Sequence, residues 1–259
     1  MMLRGHCNSV RRPSQQARRG VRAAAAMVAK TTPAPSPMVV ETLRSAQAVC
    51  FDVDSTFCAD ESIDEVAAWL GVGEKVAALT AQAMGGSVDF RSALKMRLDV
   101  MNVSKQGIEQ FLAEHPHKIT AGIPELVTTL RVQGKEVFLV SGGFRQIIHP
   151  LAESLGIPIA NVFANSIVFK EDGSYAGFDE SEFTSSSGGK PAAIRHIKAT
   201  RGLSSVVMVG DGATDMEARL EGAAELFIGY GGVVERMNIA AKADWYIYDI
   251  PSMTNVLKA

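Results

Sequence analysis

The stretch Val49-Cys50-Phe51-Asp52-Val53-Asp54-Ser55-Thr56 decides how the chain is read. A short apolar run of β-type residues carries two carboxylates at alternate positions and stops at two hydroxyls. Positions i and i+2 of a strand share a face, so Asp52 and Asp54 are presented together where the strand leaves its sheet. Two acids held that close call for a cation, a shared proton, or both. A polar turn with an Asx-type hydrogen bond has the same spelling, so the rest of the chain must discriminate.

Other apolar runs end alike. Glu136 to Val140 leads into Ser141-Gly142-Gly143, and Ser205 to Val209 into Gly210-Asp211-Gly212, with Asp215 close behind. Further strands are expected at residues 225–228 and 244–248, and residues 161–178 fold about Glu171-Asp172-Gly173 as a hairpin. Between the runs lie helical stripes: Ile123, Leu126, Val127 and Leu130, then Phe144, Ile147, Ile148, Leu151 and Leu155, where Pro150 should kink the helix or end it early. A third helix opens at Gly188-Gly189-Lys190-Pro191, with proline suited to its first turn. Apolar strands separated by helices predict an α/β fold with a parallel sheet buried on both faces. Ligands in such sheets bind outside the carboxyl ends of the strands. That rule gathers Asp52, Asp54, Ser141, Gly142, Asp211 and Asp215 at one edge, with Lys190 nearby in the same chain order. Hard carboxylate oxygens suit Mg²⁺, while backbone N–H groups and an ammonium suit phosphate.

Directly after the first strand the pattern turns helical. Ser62 and Glu65 are spaced as a capping box, and Ile63, Val66, Ala67 and Leu70 follow at helical spacing. Breaks at Gly71, Gly73 and Met84-Gly85-Gly86 separate further stripes, among them Phe90, Leu94, Leu98 and Met101. Residues 60–118 therefore predict a small helical insertion, with residues 41–59 and 119–259 forming the α/β core.

Composition excludes several classes. The chain has 259 residues, 26 basic against 28 acidic side chains and a net charge of −2, which gives no electrostatic case for a nucleic-acid partner. No apolar run reaches the roughly 18 residues of a membrane helix. Cys7, Cys50 and Cys58 lack the number and spacing of a disulfide framework or zinc site, which suggests a reducing compartment. Cys58 lies near enough to the acidic pair to be considered redox-sensitive. The five histidines form no metal pair, and His115 and His117 read as a solvated loop. Residues 1–40 hold six arginines, one lysine and no acid. That is the composition of an organelle transit peptide followed by a Pro-rich linker, and it is expected to be disordered. Val21-Arg22-Ala23-Ala24 resembles a plastid processing site, so the plastid stroma is expected, with the mitochondrion as the alternative.

The ordered set Asp52-Val53-Asp54-Ser55-Thr56, Ser141, Lys190 and Gly210-Asp211-Gly212-Ala213-Thr214-Asp215 resembles the haloacid dehalogenase superfamily of phosphatases. From about Ala46 onward the chain is similar to the phosphoserine phosphatase family within it. Ala83-Met84-Gly85-Gly86, Val140 to Arg145 and Asn161 to Asn165 carry that narrower likeness. The N-terminal extension and Phe57-Cys58-Ala59 depart from it. The resemblance implies a Rossmann-like core of the haloacid dehalogenase type, a cap over the site, and hydrolysis of phosphoserine as the last step of serine biosynthesis. It implies Asp52 as nucleophile through an aspartyl-phosphate and Asp54 as acid and base. It also implies one Mg²⁺ per site on Asp52, the Asp54 carbonyl and Asp211, with Asp215 behind them. Phosphate contacts fall to Ser141, Gly142, Gly143 and Lys190. Substrate contacts fall to Glu61, Met84, Gly85, Arg97 and Thr214. Arg97 sits at the edge of the Phe90 and Leu94 stripe and suits a carboxylate, with Glu61 for the ammonium; a snorkelling arginine and a helix-start acid are the alternatives. The rival functions are action on another small phosphate ester, such as phosphohomoserine, and a non-catalytic phospho-ligand sensor. The partners expected are the small substrate and at most a second copy in a homodimer, with no nucleic acid and no membrane.

Overall fold

In the computed structural model, residues 30–84 and 88–259 are described, without the side chain of Met84. The expected transit peptide, its processing site and Gly85 thus lie outside the described residues. Helix α1 (Pro37–Ser45) leads to β1 (Ala48–Phe51), and the insertion carries α2 (Ser62–Trp69), α3 (Gly73–Met84), α4 (Phe90–Met101) and α5 (Lys105–Glu114). The chain continues through α6 (Ile123–Val132), β2 (Glu136–Phe144), α7 (Arg145–Ser154), β3 (Val162–Asn165), β4 (Ile167–Phe169), β5 (Tyr175–Phe178), α8 (Gly189–Arg201) and β6 (Val206–Gly210). It ends with α9 (Ala213–Leu220), β7 (Leu226–Tyr230), α10 (Met237–Ala240), β8 (Trp245–Ile247) and α11 (Pro251–Lys258).

Six strands form one parallel sheet in the order β3-β2-β1-β6-β7-β8. Every residue of β1 is buried because its alternate side chains enter different cores. Val49 and Phe51 join Leu126, Leu130, Val209 and Ile228 on one face. Ala48 and Cys50 join Phe138, Ile194, Met208 and Phe227 on the other. This two-sided burial is why the strands spell as unbroken apolar runs. The connections run outward from β1 through β2 to β3, then return to β6 on the other side of β1. The chain therefore reverses direction beside β1, and a crevice forms at its carboxyl end.

The insertion has a core of its own, Val66, Ala67, Leu94, Leu98 and Phe111, completed by Phe144, Ile147 and Ile167 from outside it. Its entry and exit run side by side: Ala59 N donates to Lys118 O at 2.8 Å and Thr120 N to Phe57 O at 3.0 Å.

Four expectations need correction. Residues 161–178 are not one hairpin, because Val162–Asn165 joins the main sheet beside β2 and only β4 and β5 pair antiparallel. Residues 32–40 are ordered rather than a loose linker. Thr32 Oγ1 donates to Asp249 Oδ2 at 2.6 Å, Trp245 Nε1 donates to Pro33 O at 2.8 Å, and Ser36 caps α1. The strand after Glu136 runs on to Phe144, so Ser141 lies inside β2 and α7 starts only at Arg145. Helix α7 continues past Pro150 to Ser154, so the proline does not end it early.

Candidate active site

The turn after β1 places both acids. Asp52 N donates to Val209 O at 2.9 Å, continuing the sheet for one more residue, and Asp52 Oδ1 accepts the Val53 N–H at 2.8 Å. The chain then tightens, with Cys58 N reaching Val53 O at 2.8 Å. Ser55 takes the left-handed conformation at φ 54°, uncommon for a residue with a side chain. Two contacts hold it there: its N–H donates to Asp60 O at 3.2 Å and its hydroxyl to Glu61 Oε1 at 2.7 Å. The strained residue thus orients the Glu61 carboxylate.

Asp52 and Asp54 receive different surroundings. Lys190 Nζ lies 2.8 Å from Asp52 Oδ1 and 2.5 Å from Asp215 Oδ1. Burial alone would push the lysine pKa down, but Asp215 and Asp52 outweigh it and hold the ammonium charged. Asp54 instead accepts the Ser62 N–H at 2.9 Å and the Ser62 hydroxyl at 2.7 Å, both on Oδ1. Burial, then the charge of Asp52, pushes Asp54 up to about 7 despite the Ser62 bonds. Ser62 is thus no capping-box residue: α2 starts after Glu61 without a side-chain cap, because the carboxylate of Asp54 takes the hydroxyl.

Behind β6, Asp215 is fully buried, and its Oδ2 accepts the Gly212 N–H at 2.9 Å. A Cβ on Gly210 would lie 2.2 Å from the Asp215 carboxyl carbon, so only glycine lets this acid reach under the strand end. Asp211 Oδ2 accepts from Arg236 Nε at 2.9 Å. Burial and then Asp52 push the pKa of both Asp211 and Asp215 up, against Arg236 and Lys190 respectively. Oxygens of Asp52, Asp211 and Asp215 all lie within 4.8 Å of one another. Three hard-oxygen donors, each crowded by the others' charge, fit a divalent cation such as Mg²⁺. The side chain of Asp54, turned to Ser62, is not in this group, whereas Asp215 is.

On β2, Ser141 is fully buried and its Oγ accepts the Gly143 N–H at 3.0 Å, while Asn165 Nδ2 donates to Gly142 O at 2.8 Å. One peptide unit is therefore fixed at both ends, and Ser141 supports the cleft wall rather than lining it. A Cβ on Gly142 would meet nothing nearer than the Phe90 ring at 4.0 Å, so the missing side chain keeps space open.

The cleft is about 270 Å³ and brings together Asp52, Asp54, Glu61, Arg97, Gly142, Gly143, Lys190, Asp211 and Thr214. Arg97 donates through Nε to Ala93 O at 3.2 Å and has no ion-pair partner among the described residues, although it is half-buried. Burial pushes its pKa down, against Asp64 and Glu61. Burial pushes Glu61 up, relieved in part by Ser55. Among the described residues, five carboxyl groups and three cations line the space, so a divalent cation evens the charge before an anionic ligand enters. Ser62, Ser55, Arg236 and Glu217 were missed from sequence, although Arg236 follows β7, the strand beside β6, where the strand-end rule gave a signal. Cys58 is 3% exposed, and burial, followed by Asp60 and Asp54, pushes its thiol up to about 12, so it is no reactive thiolate. His115 stacks on Phe111 at 4.8 Å but is exposed in the loop as expected, whereas His117 is half-buried with its Nε2 shut off from solvent.

Residues 46–221 match the family model of the haloacid dehalogenase-like hydrolases. The chain is 50% identical over 223 residues to the chloroplastic phosphoserine phosphatase of Arabidopsis thaliana, covering 86% of this chain and 76% of the relative. It is similar to the structure of DsGPDH of Dunaliella salina, at 34% identity and TM-score 0.77, covering 87% of this chain and only 38% of that one. It is also similar to a phospho-aspartyl intermediate analogue of a phosphoserine phosphatase, at 28% identity and TM-score 0.67, covering 81% of this chain and 98% of that one.

Proposed function

The chain belongs to the haloacid dehalogenase-like hydrolases and, within them, to the phosphoserine phosphatases, and from that membership we propose that it hydrolyses O-phospho-L-serine to L-serine and phosphate with Mg²⁺. The observation that carries the reading is the inequality of the two acids at the end of β1. Asp52 faces the Lys190 ammonium at 2.8 Å, while Asp54 rests on Ser62 with its pKa near 7. Two carboxyls held apart in this way suit a nucleophile and a proton donor.

An oxygen of Asp52 attacks phosphorus in line as the bond from phosphorus to the serine oxygen breaks, and Asp54 gives that oxygen its proton. Water then attacks the aspartyl-phosphate, Asp54 takes its proton, and phosphate leaves Asp52. Lys190 and the Gly142 N–H stabilise the equatorial oxygens where charge builds. Asp52, Asp211 and the backbone carbonyl of Asp54 would hold the metal, with Asp215 anchoring Lys190. When bound, Mg²⁺ polarises the phosphoryl group and offsets the charge of the carboxylates.

The cleft volume, at the small end of ligand sites, supports a compact phosphate ester. The ion-free Arg97 suits a carboxylate and Glu61 an ammonium. Residues 60–118 act as the cap that chooses the substrate, with Thr214 and, outside the described residues, Gly85 and the Met84 side chain as further contacts. The arginine-rich start and the chloroplastic relative support a plastid location, in the stroma. No helix among the described residues is long and apolar enough to cross a membrane. The test is phosphate release with Mg²⁺ from phosphoserine, phosphothreonine, phosphohomoserine and phosphoglycerate, for the wild type and Asp52→Asn. Phosphoserine should be preferred, and Asp52→Asn should fold without turnover. Preference for phosphohomoserine would move the assignment to that ester, and no release from any substrate would leave a phospho-ligand sensor.

A further inference from the structure

A small void of mixed polar and apolar lining shares Asp54 with the cleft. It measures about 20 Å³ and is lined by Asp54, Asp60, Ser62, His117 and Ile147, among others. Asp60, Ser62, His117 and Ile147 also line a larger cleft of about 290 Å³ between the insertion's exit strand and α2. The void therefore lies between the acid and the hinge of the cap. A site needs roughly 10–15 Å³ and at least two polar partners to hold a water, and both conditions are met.

His117 supplies the second observation. Its Nε2 is buried and has no hydrogen-bond partner among the described residues, and burial pushes the ring's pKa down, against Asp60 and the Ile147 backbone. A neutral ring carrying its proton on Nδ1 leaves Nε2 as a bare acceptor, which only a donor can satisfy. The void offers none directly: Ser62 gives its hydroxyl proton to Asp54 Oδ1 at 2.7 Å, and Asp60 is a carboxylate. A water can give one proton to Nε2 and the other to the lone pair of Ser62 Oγ.

We propose that one water in this void joins His117 to Ser62, and that His117 is thereby a positioning residue for the Asp54 carboxyl. The water fixes the rotation of the Ser62 hydroxyl, whose proton then points at Asp54 Oδ1. The transferable proton is left on Oδ2, the oxygen that lies 3.3 Å from where a Cβ on Gly143 would sit. Because His117 adjoins Lys118, whose carbonyl ties the exit strand to Ala59, the set of the cap and the set of the acid are coupled.

The inference rests on reading Asp54 as the acid, and the test separates the two. An alkyl ester such as phosphoserine needs its leaving oxygen protonated, whereas p-nitrophenyl phosphate does not. We expect His117→Ala to lower kcat/KM on phosphoserine about tenfold or more, part of the 10²–10⁴ that a general acid contributes, while p-nitrophenyl phosphate changes less than about threefold. His117→Gln, whose amide oxygen can replace Nε2 as acceptor, should recover most of the loss and guards against a folding defect in the alanine variant. Asp54→Asn serves as the control, read as the burst of alcohol release if turnover stops, and should show a larger selectivity of the same sign. Equal losses on both esters in the His117 variants, or no loss, overturn the positioning role. If Asp54→Asn is itself unselective, the acid assignment falls and takes the inference with it.

Discussion

Replacing Arg97 by alanine should erase the preference for a carboxylate-bearing substrate while leaving phosphoryl transfer intact. The guanidinium lines the cleft, is half-buried, and spends only its Nε on Ala93 O at 3.2 Å. Its terminal nitrogens are thus available to the substrate carboxylate. A hydrogen bond to a charged group is worth about 1.5–3 kcal/mol net; at 1.4 kcal/mol per tenfold, that is about 10- to 150-fold in kcat/KM. Folding should change little, since the one bond lost leaves a carbonyl within helix α4. The assay is kcat/KM for phosphoserine and for phosphoethanolamine, which keeps the phosphate and the ammonium but lacks the carboxylate. Wild type should favour phosphoserine by the factor above, and Arg97→Ala should treat the two alike. Arg97→Lys should recover only part of the preference, since it keeps the charge without the planar fork. If Arg97→Ala loses equal activity on both esters, the guanidinium does not read the carboxylate, and its role is to shape the cap.

Lys190→Met should abolish turnover and lower stability by up to about 3–5 kcal/mol, because it strands the buried Asp52 and Asp215 carboxylates; Mg²⁺ should restore part of the urea midpoint, and a metal-free protein as stable as wild type would contradict the pairing. Asp54→Asn should flatten the dependence of metal-free stability on pH. The folded pKa of about 7 stands above the unfolded value of 3.8. The folded state therefore keeps a proton that the unfolded state has released, and stability falls as pH rises from about 4 to 7. At about 1.4 kcal/mol per pH unit the ceiling is about 4 kcal/mol, reduced by solvent in the open cleft. The variant should accordingly exceed wild type in melting temperature at pH 8 by more than at pH 4, and identical differences at both would rule the titration out.

The parallel sheet and its functional edge were legible because burial on both faces forces unbroken apolar runs, and because a strand end is marked by the residues that follow it. Asp52 and Asp211 directly follow β1 and β6 and Ser141 lies near the end of β2, and β2 and β6 flank β1 in the sheet. The misread positions share a physical cause, competition between a local pattern and a distant partner. Ser62 spells a capping box, but the carboxylate of Asp54, eight residues back, outbids the helix N-terminus. Residues 162–165 spell one arm of a hairpin, but the open edge of β2 takes them. The Pro-rich approach to α1 spells a linker, but its Thr32 and Pro33 answer polar groups of Asp249 and Trp245 more than two hundred residues away. Nothing local distinguishes His117 from a solvated histidine, since its burial depends on Ile147 and on how the insertion returns to the core.

The two acids leave one strand end two residues apart, so their different chemistry cannot come from the strand. Asp52 takes its character from Lys190, on the helix that leads into β6, and from Asp215 beneath it. Asp54 takes its character from Ser62 and, through the proposed water, from His117, which stand at the entry and exit of the insertion. The core thus holds the nucleophile, and the insertion holds the acid in addition to presenting Arg97 and Glu61. A change in the cap then reaches the proton-transfer step as well as substrate choice. Substitutions near its hinge should accordingly shift leaving-group dependence, which variants deep in the insertion's own core, such as those at Leu98, should leave unchanged.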